Sequence, residues 1–177
     1  MKKTKSLLTL LSLATIIMVT SCDLVEKLTD FSFESGYNVI PFTVYPSDAG
    51  IYTFVDTVLM SDLEELADEN GGDIDNISEA TISETLLEVT DPGRTLDGFA
   101  WGEVYMSTNE QPEKLVAWGE NFAVGATSVN LNVSQDDIKA MLKDDAYYIR
   151  CVGELSEDLL ETIHLVIKFK YEAIGQI

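Results

Sequence analysis

From Asn38 to Met60 the apolar positions come in short runs, NVIPFTVYP and GIYTFVDTVLM, dense in Val, Ile, Tyr and Phe and punctuated by Pro and Gly. Runs of this length and composition predict strands rather than helices. SVNLNVS, residues 128–134, alternates cleanly, with Val129, Leu131 and Val133 on one side and Ser128, Asn130 and Asn132 on the other. That is the period of a half-buried antiparallel strand. The last run, ETIHLVIKFKY, sets Ile163, Leu165, Ile167, Phe169 and Tyr171 on one face and His164, Lys168 and Lys170 on the wet one. In EATISETLLEVTDPG the alternation changes phase at Leu86-Leu87, which predicts a bulge there or a strand buried on both faces.

Two segments leave this period. SDLEELADENGG opens on Ser61 with Glu64 three residues later, the pattern of a capping box, and stops at Gly71-Gly72. SQDDIKAMLKDD repeats the arrangement with Ser134 and Asp137, followed by the apolar stripe Ile138, Met141 and Leu142. With seven to nine strands at short spacing and two short bridging helices, the expected fold is mainly β. The best architecture is an antiparallel sandwich of two sheets with an Ig-like key.

Before Phe31 the pattern is of another kind. Lys2, Lys3 and Lys5 precede an apolar run from Leu7 to Val19, shorter than the roughly 20 residues a membrane-spanning helix requires. A basic start and a short apolar core are the layout of a secretory signal. The run ends in Val19-Thr20-Ser21-Cys22, which resembles the lipobox of bacterial lipoproteins. The resemblance implies that residues 1–21 are cleaved and that Cys22 carries the lipid. Residues 22–30 would then be a tether and 31–177 the domain. Each buried acyl CH₂ contributes about 0.8 kcal/mol, so several chains together hold the protein at a membrane without a protein span.

Charge narrows the partners. The chain has 31 acidic residues against 11 Lys and Arg, a net charge of −20, and cleavage after Ser21 removes three lysines and takes it to −23. Such a domain is repelled by nucleic acid and by anionic head groups, so its attachment falls to the lipid. With Cys22 acylated, Cys151 has no partner for a disulfide, and the fold has to stand on packing. In YYIRCVGEL it reads as a small buried apolar group.

A second resemblance covers residues 74–171. The order IDNISEATISETLLEVTDPGRTLDGFAWGEVYMS, then EKLVAW, then VNLNVSQDDIKAMLKDDAYYIRC, is similar to a group of functionally uncharacterised β-sandwich lipoproteins of Bacteroidota-type bacteria. There, as at Pro92-Gly93 here, a strand ending in Pro-Gly leads into the next. This chain departs in having Leu96 where the group usually has Phe. The resemblance implies the sandwich and an outer-membrane address, periplasmic or surface-facing, and brings no catalytic residues and no cofactor.

Chemistry is sparse. Nucleophilic catalysis needs a nucleophile oriented by a base, and the sole histidine, His164, sits on an alternating strand beside Lys168. One His and one free Cys are too few for a typical zinc site, so a non-catalytic protein is expected. DENGGDIDNISE offers oxygen ligands at Asp68, Asn70, Asn76 and Glu79, but Asp73 stands where an EF-hand loop needs Gly. Asp56-Thr57-Val58 matches a short O-glycosylation acceptor of exported Bacteroidota-type proteins, a motif brief enough to recur by chance.

Two functions remain. The expected one is an accessory lipoprotein of the outer membrane or cell surface that holds an envelope protein partner and does no chemistry. The other is a glycan-binding module, with or without calcium, whose sugar-stacking candidates are Trp101 in GFAWGEVY and Trp118 in VAWGENF, each followed by a glycine that would leave room above the backbone. Tryptophan on a strand is usually core, so burial of at least one is expected. Exposure of both on one face would favour the glycan reading.

Overall fold

The computed structural model describes residues 30–176. The expected signal segment, Cys22 and all of the tether but Asp30 lie outside the described residues. Ten strands follow in order: β1 (Asp30–Glu34), β2 (Asn38–Val44), β3 (Gly50–Met60), β4 (Ile77–Val89), β5 (Phe99–Ser107), β6 (Lys114–Glu120), β7 (Ser128–Asn130), β8 (Asn132–Val133), β9 (Ala146–Leu155) and β10 (Ile163–Gln176). They form the expected antiparallel two-sheet sandwich. In the first sheet β10 lies between β4 and, on its other side, β2 and β1 end to end, with β7 beyond β4. The second runs β3-β9-β5-β6-β8.

The threading is more particular than an immunoglobulin key. Leaving out β1 and β8, the sheets read β2-β10-β4-β7 and β3-β9-β5-β6, so successive strands repeatedly change sheet and the last lies between the first and third of these eight. That is the double Greek key of a jelly roll.

Strand period decides what is buried. On β10 the odd positions Ile163 to Tyr171 are at most 3% exposed, as the alternation requires. On β4 the phase change is real, but it sits at Ser83 rather than at Leu86-Leu87. Lys170 pairs with Glu84 and Tyr171 with Ile82, so Ser83 is the extra residue that turns Ile82 and Leu87 to the same side. SVNLNVS keeps its alternation yet serves two sheets. Its first half pairs with β4 and its second with β6, and the chain crosses between them at buried Leu131.

The helices are shorter than the sequence pattern predicts. The first, α1 (Leu63–Glu69), closes as expected: Gly71 adopts φ of 77°, its N–H reaches the Asp68 carbonyl and that of Gly72 reaches Ala67. At its start the capping box does not form. Ser61 Oγ accepts from Leu63 N at 3.3 Å, and no side chain caps from the N-cap position, Asp62. The second helix shrinks to α2 (Lys139–Leu142), because Asp137 uses its carboxylate on the Ala80 and Lys139 N–H groups and Ile138 N–H goes to the Ala80 carbonyl. Pinned to β4, residues 134–138 cannot wind into a first turn. Both helices gather at one end, where Ser61 Oγ also donates to the Leu142 carbonyl. Asp30, Ile77 and Gln176 share that end through the register of β1, β4 and β10.

Candidate functional site

The two outer faces differ in chemistry. On the first sheet Lys168 pairs with Glu88, and Lys170 bridges Glu34 and Glu84 while lying 4.5 Å above the Tyr37 ring. This is a solvated face laced with ion pairs.

The outer face of the second sheet is built from strand register. Trp101 lies between Glu154 of β9 and Glu120 of β6; the next outward row is Thr53, Val152, Glu103, Trp118 and Asn132; the next is Asp56, Arg150, Tyr105 and Leu115. Trp101 and Trp118 are therefore diagonal neighbours, with Glu103 directly opposite Trp118. Neither is in the core. Trp101 is half-buried and Trp118 is 38% exposed, so the expectation that at least one would be buried is not met. Between β5 and β6 the two indoles and Glu103 and Glu120 line an open groove of about 260 Å³.

Several of these side chains are held. Trp101 Nε1 donates to Glu154 Oε2 at 2.6 Å, and the Tyr105 hydroxyl donates to Glu103 Oε2 at 2.6 Å. The hydrogen bond to Glu103 keeps the Tyr105 hydroxyl above its usual range, so it stays a donor. Arg150 stacks 4.6 Å over the Tyr105 ring and grips Glu113 with two bonds, of 2.7 and 2.5 Å, which hold the Glu113 carboxyl below its ordinary value. A polar frame with fixed rotamers costs little further order when a ligand arrives.

The glycines beside the tryptophans act on the other side. Gly102 pairs with Gly119 and with Gly153, a row facing inward across three strands. A Cβ on Gly119 would meet Leu131 at 2.6 Å and Phe122 at 2.9 Å, and one on Gly153 would meet the Trp101 carbonyl at 2.6 Å. The room they leave lies in the interior, not above the rings. Beneath them an apolar cavity of about 30 Å³, lined in part by Phe42, Phe54 and Phe99, is too small for a ligand. The sequence did carry the outward signal. Trp101-Gly102-Glu103-Val104-Tyr105-Met106 alternates, and buried Val104 and Met106 oblige Trp101, Glu103 and Tyr105 to face out together.

The other candidates do not assemble. Asp68 and Asn70 end α1, where the Asn70 amide donates to the Leu66 carbonyl, Asn76 closes a short 3-10 turn, and Glu79 is exposed on β4. Asp73 folds onto Asp75 N–H, and Asp75 pairs with Lys143. Among the described residues no three of His, Cys, Asp or Glu converge as a metal would need. His164 is exposed with Nδ1 3.0 Å from both Asp91 oxygens, and the Thr90 hydroxyl is taken by the His164 carbonyl. Thr57 lies in the inward row of β3, between Val55 and Leu59, paired with Ile149, and is half-buried. Cys151 is free and buried, its thiol pushed up to about 12 by desolvation. At the end opposite the helices a cleft of about 410 Å³ is acidic, but Asp97 and Asp158 are spent on the Gly125 and Ala49 N–H groups and Arg94 on Glu161.

No family model matches the chain, and no curated protein matches it in sequence. Among solved structures it is similar to a protein of infectious bursal disease virus strain Gx, at 8% identity and a TM-score of 0.33 over 84% of this chain and 36% of that one. It is similar also to turnip yellow mosaic virus, at 8% identity and 0.27 over 84% and 96%, and to Desmodium yellow mottle tymovirus, at 7% and 0.25 over 84% and 89%. The chain spans little more than a third of the first of these. Likeness this distant bears on neither activity nor partner.

Proposed function

We propose that the protein is a non-catalytic, lipid-anchored glycan-binding module of the outer membrane. The supporting observation is the groove itself: two tryptophans, diagonal neighbours on an open sheet face, with a hydrogen-bonded carboxylate facing one of them. An indole offers a flat apolar surface to the C–H face of a sugar ring, and carboxylates accept from the hydroxyls at its rim. The anchoring part of the reading rests on the lipobox at Cys22, and the address on the likeness of residues 74–171 to the outer-membrane group. A face that instead held an envelope protein would also expose apolar groups; the sugar reading is favoured because both rings open onto one groove with carboxylate acceptors beside them.

Affinity electrophoresis of the domain through gels containing different polysaccharides tests the proposal. The wild type should be retarded on at least one, and Trp118→Ala should migrate freely while melting within a few degrees of it. Free migration of wild type on every gel, neutral and acidic, overturns the glycan reading in favour of the protein-partner one.

A further inference from the structure

The groove has a polarity that selects among glycans. Its polar lining is made of carboxylates, Glu103 and Glu120, with Glu154 beside Trp101. Ionised carboxylates accept hydrogen bonds and donate none, so a ligand has to bring the donors. Cations that could receive an acidic sugar are committed elsewhere. Arg150, the basic side chain in the outward rows of this face, is chelated by Glu113 and stacked on Tyr105. Nearby Lys114 is turned away, its Nζ 2.7 Å from the Asp137 carbonyl oxygen.

Resting on the glycan-binding reading, we infer that the Trp101–Trp118 groove takes uncharged polysaccharides and excludes polyuronates and sulfated chains, with Glu103 reading the hydroxyls. A uronate would set its carboxylate among three others with no free counter-charge, on a domain already strongly negative, and like charges in register repel. A neutral chain meets no such opposition. Its hydroxyls find charged acceptors, which form stronger hydrogen bonds than neutral ones do. Glu103 is singled out by its support. Tyr105 holds Oε2, which leaves Oε1 for a ligand, Glu103 lines the groove opposite Trp118, and the Tyr105 ring is itself pinned by Arg150.

The chain contains two tryptophans, Trp101 and Trp118, so intrinsic fluorescence reports on this groove directly. Titration with soluble neutral chains (β-glucan, xylan, mannan) and with acidic ones (alginate, polygalacturonate, heparin) should give a saturable change with at least one neutral chain and none with the acidic set. Binding should change less than twofold between low salt and 0.5 M NaCl, because no counter-ions are released. Glu103→Gln, which keeps the shape, should weaken binding about tenfold or more, and Tyr105→Phe should weaken it several-fold by releasing Glu103, with both variants folded by circular dichroism. Saturable binding of an acidic chain by wild type, or full affinity in Glu103→Gln, overturns the selectivity and leaves the tryptophan platform standing. Silence toward both sets overturns the platform as well.

Discussion

At the scale of single residues, alternation decided most positions, and the pair sites show its reach. Cys151 faces inward on β9 because its neighbours Arg150 and Val152 face out, and burial keeps its thiol protonated to about pH 12 against 9 for a free thiol. The unfolded chain then loses that proton first as pH rises. Stability from this group is complete below pH 9 and declines as pH climbs toward 12, since the unfolded state binds fewer protons there. Buried Tyr147 and Tyr171, whose hydroxyls are likewise held above their ordinary value of 10, add the same sign at higher pH. Urea unfolding midpoints should therefore fall steadily from about pH 9 upward, and Cys151→Ala, weaker at neutral pH, should show a shallower fall between pH 9 and 10. A wild-type midpoint unchanged up to pH 10.5 would contradict the buried thiol and phenols. Alternation sets Gly102 inward between Trp101 and Glu103; what it could not tell was that Gly119 and Gly153 would lie beside it, since that depends on which strands pair.

At the scale of elements, legibility followed the range of the interactions. The Gly71-Gly72 stop is local chemistry and was readable; the shortened α2 was not, because the competitor for its first turn is β4, more than fifty residues earlier. Asp137 is the residue that makes this junction. Its Oδ1 accepts from Ala80 N–H at 3.0 Å and Lys139 N–H at 2.9 Å, and Ala80 is fully buried. Asp137→Ala leaves the first of these donors without a partner and should cost about 1–3 kcal/mol in denaturant unfolding with the slope unchanged. Asp137→Asn retains an acceptor and should recover part of it. Equal stability in all three would mean that the junction is held by the Ile138 backbone bond alone. The same limit explains the threading. Strands β2, β3, β4 and β10 were visible one by one, but the placing of β10 between β2 and β4 depends on pairings across more than seventy positions, which no short window contains.

At the scale of the whole molecule, the two ends of the sandwich carry different things. Asp30, the first described residue, stands at the helical end with Ile77 and Gln176, and Phe31 lies where a Cβ on Gly72 would strike it. The Trp101 row lies at the other end of the second sheet, since β3 runs from Ile51, opposite Glu154, to Met60, which leads into the helical segment. Ten residues of strand set these ends about 30 Å apart. If Cys22 is the anchor, the eight positions from it to Asp30 can reach at most about 29 Å, so the lipid leaves from the end away from the groove. In that arrangement anionic head groups would repel both Glu64, Glu65, Asp68 and Glu69 of α1 at the near end and Glu103, Glu120 and Glu154 beside the tryptophans, so the domain would stand off the bilayer rather than lie on its aromatic face. The lipidated protein in liposomes should therefore keep its tryptophan emission when lipids carrying head-group or acyl-chain quenchers are added, while acrylamide in solution quenches it. Strong quenching from the lipid would put Trp101 and Trp118 at the bilayer. The groove would then face the membrane and not the glycans beyond it.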